Sequence, residues 1–200
     1  KGLSDNFTKK ILIGKNNTKG LGTGMNAELG KRSAEESNQE ILEAICGGSS
    51  SRSKEYPALA GKADMVFITC GLGGGTGSGA SPVIAEISKN LGILTIGVVT
   101  TPFSFEGEAR KKIADLALRD LKEKVDSLLV ISNDKLLKVI DEKTTVSSAF
   151  LICDEVLREA VQSITDLILM PGIINIDFAS VLSIMKNSGQ ALFGAGKASG

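Results

Sequence analysis

The segment ADMVFITCGLGGGTGSG, Ala63 to Gly79, decides the fold. Its first half, Ala63 to Cys70, is a near-continuous apolar run that suits a strand buried on both sides, as in a parallel sheet. Its second half, Gly71 to Gly79, is a glycine-rich junction leading into a helical pattern from about Ser78 to Lys89. Pro82 falls in that helix's first turn, where a missing N–H does no harm. Successive backbone N–H groups and a helix N-terminus then converge on one point, and Thr76 and Ser78 add hydroxyls, an arrangement that suits a phosphate. The competing reading is a turn whose glycines only permit close packing. The junction lacks the lysine of the GxxxxGK nucleotide loop, and no acidic ribose-binding residue is convincingly placed about 20 positions after a GxGxxG. Neither an ordinary ATPase nor an ordinary dehydrogenase is the first choice.

Downstream, Ile93 to Val99 reads as the next buried strand, Phe105 to Glu123 as a helix, Val125 to Ile131 as a strand and Asp134 to Ile140 as a short helix. A long helix follows over Val146 to Leu169, with Phe150, Cys153, Val156, Leu157, Val161, Ile164 and Ile168 as its buried face. At about 1.5 Å per residue it crosses a small domain and reads as a spine to a further one. Pro171 and Gly172 stop it, IINIDF forms a loop, and a helix runs over about Ala179 to Asn187. Ala191 to Gly200 reads as the first strand of a second domain. Upstream, Lys9 to Ile13 is a strand candidate and Asn16 to Gly24 a glycine-rich loop. Asn26 caps a helix whose broken apolar face is Leu29, Ile41, Leu42 and Ile45, and Gly47 to Gly61 reads as a mobile surface loop or linker. The alternation predicts an α/β fold with a doubly wound, mostly parallel sheet.

Composition narrows the chemistry. The 200 residues carry 23 Lys and Arg against 23 Asp and Glu, so the bulk positive field of a nucleic-acid binder is missing. There is no histidine, which excludes a Ser-His-Asp triad, His-ligated zinc and imidazole acid–base catalysis. Cys46, Cys70 and Cys153 are far apart and odd in number, as reduced thiols are. No apolar run reaches the roughly 18 residues of a membrane span, so direct membrane insertion is not expected.

GLGGGTGSG together with VVTTPFSFEG, SND and PGIINIDF, in that order over about Ile13 to Gly200, resembles the tubulin/FtsZ family, in its bacterial cell-division branch. The resemblance implies GTP and GDP as ligands, with Mg2+ held mainly through the phosphates. It implies head-to-tail self-association into protofilaments, and hydrolysis where one subunit completes the site of the next. It also implies a cytoplasmic protein at the division site, with an organellar stroma or matrix left open, and membrane-adaptor partners reached through regions outside these residues.

Carried over residue by residue, Gly73, Gly74, Gly75, Thr76, Gly77, Ser78 and Gly79 would cradle the α- and β-phosphates. Gly22, Thr23 and Gly24 resemble the loop that approaches the γ-phosphate. Glu106 and Arg110, four apart, would share one helical face toward the ribose and phosphates. Asn133 resembles the guanine-reading asparagine. The second base contact falls in AFLICDEVL, where Asp154 replaces the usual Asn and Glu155 the usual Asp. Asn175, Asp177 and Ser180 occupy the catalytic NxDFxD positions, with Ser180 in place of the second carboxylate, so weakened hydrolysis is expected. Ala27 replaces a common proline, and Gly47 to Gly61 is longer than the family's turn.

The family's first βαβ unit has no counterpart before Lys1, so the segment reads as the middle of a longer protein. Residues 1–145 would be a partial GTP-binding domain, 146–170 the central helix, 171–189 the catalytic loop and following helix, and 190–200 the start of a second domain. Two other classes compete: a non-hydrolysing partner that co-assembles with an active relative, and a Rossmann-type oxidoreductase sharing only the glycine loop.

Overall fold

The computed structural model describes residues 10–46, 63–138, 140, 144–169 and 177–194. A parallel four-stranded sheet in the order β1-β2-β3-β4 forms its centre, built from Met65–Gly71 (β1), Leu94–Thr101 (β2), Ser127–Ser132 (β3) and Gly189–Ala191 (β4). The period of two along each strand sorts the side chains. Val66, Ile68, Val99, Leu128 and Val130 face helices α3 (Gly75–Asn90) and α4 (Glu108–Lys124). Met65, Phe67, Ile96, Val98, Leu129 and Ile131 face α6 (Val146–Leu169) and α7 (Phe178–Met185). Helices thus cover both faces, the doubly wound arrangement. Helices α1 (Ala27–Glu36) and α2 (Asn38–Ile45) pack outside α3 through Ala34, Ile41, Ala80, Val83 and Ile87. The short α5 (Asn133–Leu137) follows β3 directly.

Several elements depart from the sequence reading. Residues 10–13 form no strand among the described residues, because no neighbour pairs with them; Ile13 instead packs on the α1–α3 cluster. The run upstream of Gly47 forms two helices, broken at Ser37, and Leu42 lies on their exposed side. β1 is half-buried with Thr69 exposed, since among the described residues it is a sheet edge. Helix α3 begins at Gly75, three residues earlier than expected, so Pro82 lies in its interior and removes the N–H that would bond back to the preceding turn. The segment expected as one helix from Phe105 is a 3-10 turn, Ser104–Glu106, then Gly107 at φ 99°, then α4. α6 has the expected span, and Cys153, Val156, Leu157, Val161 and Ile164 pack inward as expected, with Ala149 and Ala160 also buried, whereas Phe150 is exposed. The α7 helix opens one residue early, at Phe178, because Asp177 caps it. Gly189–Ala191 joins the same sheet, pairing with the start of β3. The Gly47 to Gly61 stretch and the Pro171–Ile176 part of the loop after α6 lie outside the described residues.

Candidate nucleotide site

Ligand crevices in open parallel sheets lie beyond the carboxyl ends of the strands, and the candidate residues from four segments meet there. At the end of β1, Gly73 has φ 98°, and a Cβ on it would lie 3.0 Å from the Arg110 carbonyl oxygen. Its N–H donates to Ser78 Oγ at 2.9 Å. Gly74 caps α3 with φ −90°, and a Cβ there would meet nothing within 4 Å. Neither strain nor crowding demands glycine at Gly74, which leaves room for an outside group against its backbone.

The next glycines serve packing. A Cβ at Gly75 would come 2.3 Å from Thr23 Oγ1, one at Gly77 would come 2.6 Å from the Gly71 oxygen, and one at Gly79 would come 2.0 Å from the Ala27 oxygen. A Cβ at Gly30 of α1 would likewise come 2.2 Å from the Gly75 oxygen. The junction therefore divides: Gly74 borders open space, whereas Gly75 to Gly79 are the first turn of a helix pressed against α1. Burial pushes the Cys70 thiol up, and its Sγ donates to the Gly77 oxygen.

The Gly22–Gly24 loop lies on this helix start. Gly75 N–H donates to the Gly24 oxygen at 2.7 Å, and the Thr23 and Thr76 hydroxyls are 3.1 Å apart. The Pro102–Gly107 segment closes the other side. Glu106 accepts from Phe103 N–H at 2.9 Å and from Arg110 Nη1 at 2.6 Å, so it braces the turn that carries it and orients Arg110. Glu106 lies before Gly107, outside the helix, yet the expected pairing with Arg110 forms.

Asn133 opens α5 at the end of β3; it is 5% exposed, and among the described residues its buried Oδ1 has no hydrogen-bond partner. An orphaned buried acceptor normally costs stability. It fits a site whose occupant supplies the donor. Two contributors escaped the sequence reading. Asp134 accepts from Ser104 N–H at 2.8 Å and ties the Pro102–Gly107 segment to α5; only its place beside Asn133 in SND could have suggested it. Phe103, Phe105 and Phe150 form an aromatic cluster, with Phe103 and Phe105 stacked at 4.8 Å and Phe150 edge-on to Phe103 at 5.0 Å. Their distance in sequence hid it.

Other candidates lie elsewhere. Glu155 is exposed on α6 and bonded to Arg158, three residues on. Asp177 lies past the C-terminal end of α6, whose first turns pack on Phe103 and whose later turns pack on α7 beside Leu94 at the start of β2. The 24 residues of α6 span about 36 Å, so Asp177 and the glycine junction are at opposite ends of the sheet. Asp177 Oδ1 accepts from Ser180 N–H at 2.8 Å. The Ser180 hydroxyl bonds to the same carboxylate and, with that backbone N–H, holds Asp177 below the usual aspartate range. Asn175 lies outside the described residues. Among the described residues no cluster of three or more carboxylates or thiols gathers that could hold a metal ion, and no helix is long and apolar enough to cross a membrane.

Residues 3–141 match the model of the Tubulin/FtsZ family, GTPase domain. The chain belongs to that family. Among solved structures, an empty FtsZ dimer from M. jannaschii is 47% identical with a TM-score of 0.80, over 91% of this chain and 48% of that one. The W319Y mutant of FtsZ from M. jannaschii, also 47% identical, aligns with a TM-score of 0.81 over 92% of this chain and 51% of that one. CetZ1 from Haloferax volcanii, a GDP-bound monomer, is 29% identical with a TM-score of 0.68, over 90% of this chain and 49% of that one. The chain thus spans about half the length of the solved chains it matches.

Proposed function

We propose that the chain is the nucleotide-binding part of a GTP-binding cytoskeletal protein of cell division, which assembles head to tail and hydrolyses GTP to GDP and phosphate between successive subunits. The observation that carries this is the separation of Asp177 from the glycine junction by the length of α6. A carboxylate there cannot reach a phosphate bound at its own Gly74, so it acts, if it acts, on the nucleotide of a second copy. The dimer formed by the 47% identical FtsZ supports such self-association.

Gly74 would offer its backbone amide to the phosphates, with the N-terminal end of α3 behind it, and Gly73 would do so only by releasing Ser78 Oγ. Glu106 and Arg110 would face the ribose and phosphates, and the orphaned Asn133 Oδ1 would accept from the guanine edge. Glu155 would reach the base only by leaving Arg158. A Mg2+ ion would be held chiefly by the phosphates and would neutralise their charge. Residues 1–145, 146–170, 171–189 and 190–200 would then be the partial GTP-binding domain, the connecting helix, the catalytic loop with its helix, and the start of a further domain. The setting is the cytoplasm at the division site, with adaptor partners reached through other parts of the protein.

Ser180 favours a second reading, a structural partner that polymerises and borrows hydrolysis from an active relative. A serine supplies no negative charge, and here it holds Asp177 as a helix cap of lowered basicity. Turnover and GTP-dependent sedimentation of the full-length protein, beside Ser180→Asp, separate the two. Equal turnover in both proteins means that Asp177 suffices. Pelleting without turnover, with turnover gained in Ser180→Asp, means a structural partner. Binding of NAD in preference to GTP would overturn both.

A further inference from the structure

We infer that Glu36, at the far end of α1 from the glycine junction, is a positioning residue for the Gly22–Gly24 loop and through it for the affinity toward a nucleoside triphosphate. The inference rests on the nucleotide reading above. Both oxygens of the Glu36 carboxylate are engaged. One accepts from Asn16 N–H at 2.8 Å and Asn16 Nδ2 at 2.9 Å, the other from Asn17 N–H at 3.3 Å and Asn17 Nδ2 at 2.7 Å. The adjoining Lys15 pairs with Glu40 of α2.

The loop held this way is costly to order. Gly14, Lys19, Gly20, Gly22 and Gly24 all have positive φ, and because four of them are glycines, whose conformational freedom is lost on ordering, the segment needs outside contacts to hold one shape. Its two ends are fixed to one helix: Glu36 grips the entry, and the exit runs directly into Asn26, which caps α1 by accepting from Leu29 N–H. α1 in turn is pressed on α3 where Gly30 meets Gly75 and Ala27 meets Gly79. The loop therefore hangs from a rigid pair of helices, and Thr23 and Gly24 are brought to Thr76 and Gly75. Among the described residues no protein acceptor takes the amides of Gly22, Thr23 or Gly24. Three such donors beside the start of α3 form an anion-binding concavity, useful in proportion to how well it is preorganised.

The test uses the full-length protein with Glu36→Ala and the conservative Glu36→Gln. Amide exchange by NMR without nucleotide is expected to quicken about tenfold at Asn16, Asn17 and Gly75 in Glu36→Ala, with the α1 interior at Gly30 and Ala34 unchanged. Affinity for GTPγS is expected to fall about tenfold and that for GDP less than about twofold, with Glu36→Gln in between. A merely structural role would lower both affinities together, and that result, or an unchanged Gly75 amide, overturns the inference. Wild-type protein that binds neither nucleotide, while Gly75 still responds to Glu36→Ala, overturns the nucleotide reading and leaves the link from Glu36 to Gly75 supported.

Discussion

The glycine junction and the Asp177–Ser180 turn are both helix starts, yet they are built in opposite ways. At the junction distant segments supply bonds and packing: Gly24 accepts from Gly75, Thr23 pairs with Thr76, Thr23 and Asn26 crowd Gly75, and Ala27 crowds Gly79. At Asp177 the bonds are local, from a cap to the third residue of its own helix, on an exposed surface. The first region is held ready by packing over the whole domain. The second holds only itself, so what it does depends on what is brought to it.

The largest effect should come from loading the packed side of the junction. Gly79→Ala would place a Cβ 2.0 Å from the Ala27 oxygen and is expected to cost about 3 kcal/mol, read as a lower urea midpoint. Gly74→Ala, in open space, should leave that midpoint within about 0.5 kcal/mol yet weaken GTP binding about tenfold. Equal destabilisation by both would erase the distinction between packing and ligand glycines. At the other region, Ser180→Asp is expected to raise turnover about a hundredfold while nucleotide affinity stays unchanged, since on the proposed reading it acts on the nucleotide of the next subunit. A change in affinity of the isolated subunit would break the comparison.

A somewhat smaller change is expected at Asn133. Replacing it by Ala should reduce the preference for guanine over adenine nucleotides by about 2 kcal/mol, measured by competition. The smallest concerns the pH response of the exposed turn. Because Asp177 is held below its ordinary value when folded, its capping of α7 is present above the unfolded aspartate range and is lost as pH falls through the depressed value. Ser180→Ala should move the Asp177 titration, followed by carbon NMR, up toward the ordinary range; an unmoved titration would mean that the turn is not self-contained.

Much of this was legible because it depends on short-range pattern. Near-continuous apolar runs gave three strands, the long apolar stripe gave α6 to its observed ends, and the spacing of Glu106 and Arg110 gave a pair that forms across an unexpected helix break at Gly107. What was not legible depends on who the neighbour is. Ala63 to Cys70 has the composition of a central strand but is an edge among the described residues, because composition records how much apolar surface a strand has and not what covers it. Glu36 and Asn16, or Phe103 and Phe150, carry no mutual signal along the chain.

The sequence by itself determined the alternation of strands and helices, the family, the absence of histidine chemistry and the substitution of Ser180 for a carboxylate, all of which follow from local order and residue type. Only the tertiary structure decided which glycines border open space and which face α1, that among the described residues nothing partners the buried Asn133 Oδ1, and that Asp177 lies a helix length away from the glycine junction. These are relations across the fold, fixed by which surfaces close against one another.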